Sequence, residues 1–403
     1  MYDVIIVGAR CAGSPLAMLL ARQGHKVLLV DKAGFPSDTL STHGIKTPGA
    51  ARLNEWGLLD AVLASNCPPI YGQRLDLGPF TLEGAPPGID DVDFIIAPRR
   101  YVLDTILVEA AVAAGAELRE HFTVDELLFE DGRVTGIRGH ARGGASVTER
   151  ARIVIGADGR RSFVAQAVGA PVTIDRGTLC CGYYSYFSDV PCEQVELYPR
   201  PGRSTIAFPT NDGLTVILVE WPRAEFHAFR ADIETNFLKT LELAPGLAER
   251  VRAGRREERY SGTADLPNFQ RKAFGPGWAL AGDALSHKDP ILAQGIVDAF
   301  NDAALLAQAT HDALSGAQTM EAALADYQRR HLEHSMPLFE LNSQYAMLEP
   351  PPPEMQALLA ALIGNQEEIN RFMGAIVGTV PLSDFFAPEN VSRLLGNAQV
   401  AAD

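Results

Sequence analysis

Residues 3–31 read DVIIVGARCAGSPLAMLLARQGHKVLLVD, and this stretch decides the fold. DVIIV, Asp3 to Val7, is a short apolar run rich in β-branched residues, the composition of a strand buried on both faces of a parallel sheet. GARCAG follows, and SPLAMLLARQG behind it spaces Leu16, Leu19 and Leu20 along one helical face. Gly24 ends the helix. KVLLV, Lys26 to Val30, is a second buried strand, closed by Asp31 and Lys32. Strand, Gly-rich turn, helix, strand and acid in this order make a dinucleotide-binding unit. Gly8 allows the tight turn, and Gly13 and Ala17 let the helix pack closely on the sheet. The helix N-terminus offers unpaired N–H groups to a pyrophosphate, and Asp31 can accept from ribose hydroxyls. The middle glycine of the usual GxGxxG is Arg10 here. Its side chain either crowds the pyrophosphate or turns outward and binds ligand.

The rest of the composition narrows the function. The chain has 403 residues, and 35 Lys+Arg against 50 Asp+Glu leave a formal charge of −15. That balance argues against a nucleic-acid binder, which needs a basic face, and against docking on an anionic membrane surface. No run approaches the ~20 apolar residues of a membrane span. MYDVIIVGAR lacks the basic start of a signal peptide, so a cytoplasmic protein is expected. Cys11, Cys67, Cys180, Cys181 and Cys192 are odd in number and form no CxxC pair, so neither a disulfide framework nor a metal site is expected.

Two distant motifs say which dinucleotide. ARIVIGADGRRS, residues 151–162, is an apolar run ending in Asp158-Gly159. WALAGDALSHKDPILAQGIVDAF, residues 278–300, is a short strand ending in Gly282-Asp283, with a long helix from about Gln294. With the Gly-rich turn, the order and wide spacing of these motifs resemble the FAD-dependent oxidoreductases that include para-hydroxybenzoate hydroxylase, flavin halogenases and geranylgeranyl reductases. The resemblance covers nearly the whole chain and is least specific over the last sixty residues. It implies an α/β fold, with a Rossmann-like FAD-binding domain, an interleaved antiparallel substrate sheet and a helical C-terminal region. The expected FAD-binding segments are 1–75, 99–169 and 266–335; the substrate segments are 76–98 and 170–265; the C-terminal helical region is 336–403.

By the same resemblance, Gly8, Arg10, Cys11, Ala12, Gly13, Asp31, Lys32, Asp158, Gly159 and Gly282 belong to the FAD site. Asp283 would bond a ribityl hydroxyl, and Pro290 and Gly295 would lie beside the isoalloxazine. There a helix N-terminus would favour negative charge on the reduced ring. Standing alone, Asp283 would read as a helix cap and Asp158 as a turn residue. Arg100, three residues before Leu103, fits the family's RxxL element. In the segment after the second strand, where many hydroxylases carry an arginine, this chain offers Ser41 and Thr42 toward flavin and His43 toward flavin or substrate. His287 can shuttle a proton or merely order its loop. His43 and His287 are therefore the candidate catalytic residues.

Residues 178–187, 194–198, 204–208 and 214–221 read as strands of an antiparallel sheet over roughly 170–225. Tyr184, Tyr186 and Trp221 are its candidate pocket residues, each equally a core residue. Residues 225–254 and 294–335 read as helices, and a further amphipathic helix follows the proline run at 350–353, closing the pocket or forming a dimer contact. No second strand–GxGxxG–helix unit occurs, which fits a nicotinamide donor bound in passing or reduction by another protein. The expected function is an NAD(P)H- and O₂-dependent FAD monooxygenase that hydroxylates an aromatic or polycyclic small molecule through a flavin C4a-hydroperoxide. A C=C reductase like geranylgeranyl reductase is the alternative. Halogenation ranks lower, since Trp56, Trp221 and Trp278 lie outside any WxWxIP element. A non-catalytic flavin-binding protein is the remaining class.

Overall fold

The computed structural model of the chain describes residues 1–402. Tyr2–Val7 and Val27–Val30 pair in parallel, with Val4 opposite Val27 and Val7 opposite Val30. Both strands are almost wholly buried because helices cover the faces of their sheet. On the other side of Tyr2–Val7 lies Ser146–Gly156, also parallel, and beside that Trp278–Leu280. Glu117–Arg119 and Phe274–Gly275 close the two edges. The consequence for function is direct. The Gly8 turn, Asp158-Gly159 and Gly282-Asp283 leave the carboxyl ends of three adjacent strands, where open α/β sheets bind ligands.

The second sheet roofs that end. Its centre is Cys180–Ser188 paired with Thr215–Pro222, followed by Arg203–Pro209 and Val195–Arg200, all antiparallel. The expected strands are all present. Two details of the expectation change. Val195–Arg200 continues in parallel onto Gln73–Asp76, so this sheet already draws on residues before 76. Val172–Thr178 lies outside it and pairs with Pro267–Arg271, which also carries Ser286–His287. These three short strands brace the turn that holds His287 to Pro290.

Three stretches expected as single helices are broken. Residues 225–254 form Phe226–Ala231, Ile233–Leu241 and Pro245–Ala253, because Asp232 and Pro245 start new turns. Residues 294–335 split into Gly295–Leu314 and Met320–Ala346, where Thr319 caps the second helix at the Ala322 N–H. Beyond the proline run, Pro353–Ala361 and Gln366–Val377 dock on the chain's own roof sheet. Leu358, Leu362 and Phe372 pack on Leu75 and Leu82, and Gln366 Nε2 donates to the Glu83 carbonyl at 2.9 Å. Among the described residues no helix is long and apolar enough to cross a membrane.

The Gly-rich turn is sterically determined. Gly8 has φ +103°, and a Cβ there would lie 2.3 Å from the Ala157 carbonyl oxygen. A Cβ at Gly13 would lie 1.8 Å from the Gly8 carbonyl oxygen. Gly13→Ala is expected to cost about 1–3 kcal/mol, the range for forced overpacking. Gly246→Ala, at an uncrowded position in a helix, should be neutral or stabilising by up to ~1 kcal/mol. Urea-unfolding midpoints of the two variants check the contrast; equal midpoints would contradict it.

Candidate active site

A cavity of about 650 Å³ runs from the Gly-rich turn, past the Gly282-Asp283 turn, to the underside of the roof sheet. Gly8, Arg10, Cys11, Ala12, Asp31 and Lys32 line one end. Ser41, Thr42, Arg100, Asp158, Gly159 and Asp283 line the middle, with His287, Pro290, Gly295 and Tyr184 at the roof. Gly13 and Gly282 stand behind this wall as close-packing positions. A Cβ at Gly282 would lie 2.9 Å from that of Ala12, so the turn of one motif rests on the turn of another.

The first helix, Gly13–Arg22, has Ala12 at its N-cap and no side chain capping its first amides. Of the first-turn amides, Ser14 donates to the Arg10 carbonyl at 3.0 Å, Leu16 donates to the Ala12 carbonyl at 3.3 Å and Pro15 has no N–H, so the Gly13 N–H is the one left for an anion. Asp31 is partly committed: Oδ2 accepts from the Ala9 N–H at 2.7 Å and Oδ1 from the Ala33 N–H at 2.8 Å. Arg10 turns sideways instead of blocking the turn. It pairs with Asp104, donates to Ser37 Oγ at 3.0 Å and lies over the Phe35 ring. Asp104 also binds Arg100 through Nε at 3.1 Å and Nη2 at 3.0 Å. Burial works against the charge on Arg100, but the neighbouring anionic groups outweigh it and keep the guanidinium protonated. Cys11 is no nucleophile, because burial pushes its thiol up to about 12.

Asp158 and Asp283 behave differently. Asp158 caps the Phe163–Ala167 helix: Oδ2 accepts from the Phe163 and Val164 N–H groups at 2.7 and 3.2 Å, and Oδ1 from the Ser162 hydroxyl. Burial still raises its carboxyl above the ordinary value. Asp283 makes no side-chain hydrogen bond among the described residues and faces the cavity beside the start of Gly295–Leu314. It is free to take a ligand hydroxyl. Its turn is held from behind, where the Gly282 N–H donates to Asp302 Oδ2 at 2.8 Å. His331 Nδ1 meets Asp302 Oδ1 at 2.6 Å, and the Tyr327 hydroxyl donates to the Leu280 carbonyl at 2.9 Å.

The two histidines are not equivalent. His43 is fully buried behind the wall, with its Nε2 against the Tyr186 hydroxyl. Burial, with Arg100 and Arg99 nearby, holds it down to about 3, so it is neutral and does not reach the cavity. Tyr186 shares that position: its ring carries Arg99 at 3.8 Å, and it does not line the cavity. Trp221 points to the other face of the roof sheet. It packs on Phe229 at 4.6 Å and donates to Thr240 Oγ1 at 2.8 Å, as strand alternation requires for a neighbour of Glu220. His287 does line the cavity. Its Nδ1 donates to the Pro267 carbonyl, so in the neutral ring Nε2 is the acceptor.

Sequence reading missed the supports. Asp298 and Asp302, four residues apart on Gly295–Leu314, are both buried. Asp298 pairs with buried Lys288 and accepts from Gln294 Nε2 at 3.3 Å. Two acids on the apolar face of a helix were the available signal. Glu220 on the roof carried no signal beyond lying in an apolar strand.

Burial alone would lower the His331 imidazole, but the Asp302 carboxylate outweighs it and raises it above the ordinary value. Its contribution to stability is therefore complete below about pH 6.5, the unfolded value, and is lost as pH rises through the higher folded value. His331→Leu, which breaks a buried pair, should cost roughly 3–5 kcal/mol at pH 6 and distinctly less at pH 8.5. Denaturant unfolding of both proteins at the two pH values measures this; a cost independent of pH would refute it.

Comparison with known proteins agrees with this geometry. A family model described as an FAD binding domain matches residues 1–340. Digeranylgeranylglycerophospholipid reductase of Methanosarcina acetivorans is 28% identical over 347 residues, covering 83% of this chain and 81% of its own. Kynurenine 3-monooxygenase of Salinispora arenicola is 27% identical over 368 residues, covering 84% and 78%. The flavoprotein/dehydrogenase from Cytophaga hutchinsonii has a TM-score of 0.83 at 18% identity, covering 100% of both chains, a likeness of fold. The turn glycines, the uncapped helix N-terminus and the unpartnered Asp283 suit this dinucleotide, and the chain belongs to the FAD-binding-domain family of FAD-dependent oxidoreductases.

Proposed function

We propose that the protein is an FAD-dependent monooxygenase, which takes electrons from NAD(P)H and uses O₂ to hydroxylate a compact aromatic or polycyclic molecule. The observation that carries this reading is the single cavity joining the dinucleotide crevice to the roof. Its volume lies within the ordinary range for small-molecule sites, yet cofactor and substrate must share it. That favours a compact ring over a long lipid. The monooxygenase relative, similar over most of the chain, supports the same choice.

Bound FAD supplies the redox chemistry. The protein residues bind, orient and exclude water. The Gly-rich turn and the first helix N-terminus would hold the pyrophosphate, Asp283 a ribityl hydroxyl, and the start of Gly295–Leu314 the carbonyl edge of the ring. Tyr184 and Leu218 roof the reacting end and keep it dry. His287 Nε2 accepts a proton there; His43 instead braces Tyr186 under the roof. In this reading the FAD part is drawn from 1–75, 99–169 and 266–335 and the substrate part from 76–98 and 170–265, except that Gln73–Asp76 joins the substrate sheet and Val172–Thr178 lies outside it.

A second reading, reduction of a C=C bond, is favoured by the reductase relatives. Oxygen uptake separates the two. The FAD-loaded protein is mixed with NADH or NADPH and a panel of phenols, naphthols and larger polycyclic compounds. The expected result is uptake stimulated by one class, with a product that carries one added oxygen atom. Reduced flavin that ignores O₂ but saturates an isoprenoid alkene would establish the reductase instead. Reduction by neither nicotinamide would point to a separate protein donor. Asp283→Ala is expected to lose about tenfold or more in FAD affinity, worth ~1.4 kcal/mol or more. Stoichiometric yellow flavin retained through gel filtration would refute its assignment.

A further inference from the structure

Cys180, Glu220 and Asp289 form a fully buried cluster where the roof sheet meets the turn after His287. One polar atom from each lies within 4.8 Å of the others. Two of the three are satisfied. Cys180 Sγ donates to Asp289 Oδ2 at 2.7 Å, and Asp289 Oδ1 accepts from the Ile291 N–H at 3.2 Å. Glu220 is not: among the described residues neither carboxyl oxygen has a hydrogen-bond partner. Ser204, opposite it on the ladder, is close enough to favour the ionised form without closing a bond. No lysine or arginine pairs with either carboxyl among the described residues.

A buried carboxyl without a partner is a costly thing to keep. Its direction shows what it can serve. Leu218 and Glu220 share the face of Thr215–Pro222 that looks into the cavity, while Val219 and Trp221 share the other. Opposite Glu220 stands Gly182, which also lines the cavity. A Cβ at Gly182 would meet Glu220 Cγ and Leu218 Cδ1 at 3.4 Å, so any side chain larger than a methyl there would press on the Glu220 stem. Tyr184, His287 and Pro290 complete the walls around it.

We propose that Glu220, backed by Asp289 and the Cys180 thiol, is the specificity-determining group of this cavity, taking a hydroxyl on an uncharged ring compound and turning away carboxylates. The proposal rests on reading the cavity as a shared flavin and substrate site. Two carboxyls this close in a dry site do not both ionise near neutral pH. Burial raises both, Asp289 to about 6 and Glu220 well above its ordinary value, so the shared proton stays on Glu220. A protonated carboxyl offers one donor and free acceptor capacity, the complement of a hydroxyl. A bound carboxylate would add a second buried negative charge beside Asp289.

The test is binding without turnover. Oxidised, FAD-loaded protein is titrated with 2-naphthol, 2-methoxynaphthalene and 2-naphthoate, read by the change in flavin absorbance. 2-Naphthol should bind about tenfold tighter than the methyl ether, ~1.4 kcal/mol, and 2-naphthoate weakest. Glu220→Leu should bring 2-naphthol down to the level of the ether and leave the ether unchanged; Glu220→Gln should keep part of the preference. Because the carboxyl is unpartnered, Glu220→Leu should also raise the melting temperature of the ligand-free protein, which loss of a structural acid would lower. Tightest binding of the naphthoate, binding of none of the three, an unchanged naphthol preference in Glu220→Leu, or a lowered melting temperature would each overturn the proposal. If Glu220→Leu does not fold, Glu220→Gln decides: a naphthol preference as large as that of the unsubstituted protein overturns the proposal. Absent oxygen uptake with this binding pattern intact would overturn the monooxygenase reading alone.

Discussion

The site depends on glycines that let the turns at the carboxyl ends of three parallel strands close on one another. Gly8 abuts Ala157, Gly13 abuts the Gly8 carbonyl, and Gly282 abuts Ala12. Each contact is closer than any side chain allows. Through them, segments from the start, middle and later part of the chain share one crevice. The N-terminus of the first helix and the Asp283 side chain, unpartnered among the described residues, can then face the same space. A methyl group at one of these positions would separate the pieces before it altered any ligand contact.

Buried ion pairs keep those pieces in register. Asp104 lies between Arg10 and Arg100, tying the Gly-rich turn to Arg100–Ala113. Lys288 pairs with Asp298, and His331 with Asp302, so the long helix from Gly295 grips both turns at the roof end. Buried pairs of this kind roughly break even in stability, because desolvation offsets attraction. Their effect here is geometric. A turn that must present a carboxylate to a ligand cannot be fixed by that carboxylate, so other acids hold its backbone.

The roof sheet divides its work by alternation. One face of Thr215–Pro222 packs Val219 and Trp221 against Phe229 and Phe237, a closed apolar layer. The other presents Leu218 and Glu220 to the cavity. The layer of helices behind the first face supports an uncomfortable residue on the second. This is the pattern of a binding surface: stability is gathered where no ligand reaches, and an unsatisfied polar group is tolerated where one does.

The sequence by itself determined the dinucleotide unit, the strands of the roof and the three FAD motifs, because each is a local pattern with a steric or hydrogen-bonding cause. A glycine in a tight turn, a β-branched run and an acid at a strand end keep their meaning without neighbours. Tertiary structure alone decided which side chains face the cavity. Tyr184, Tyr186 and Trp221 were indistinguishable in sequence, yet only Tyr184 lines it, since the other two are claimed by His43 and by Thr240. His43 and His287 were likewise both candidates until packing buried one behind the wall and left the other at it. Glu220 owes its place at the wall to strand pairing that sets Gly182 opposite it. Exposure to a cavity, and the lack of a partner, are properties of distant residues brought together, and no local spacing encodes them.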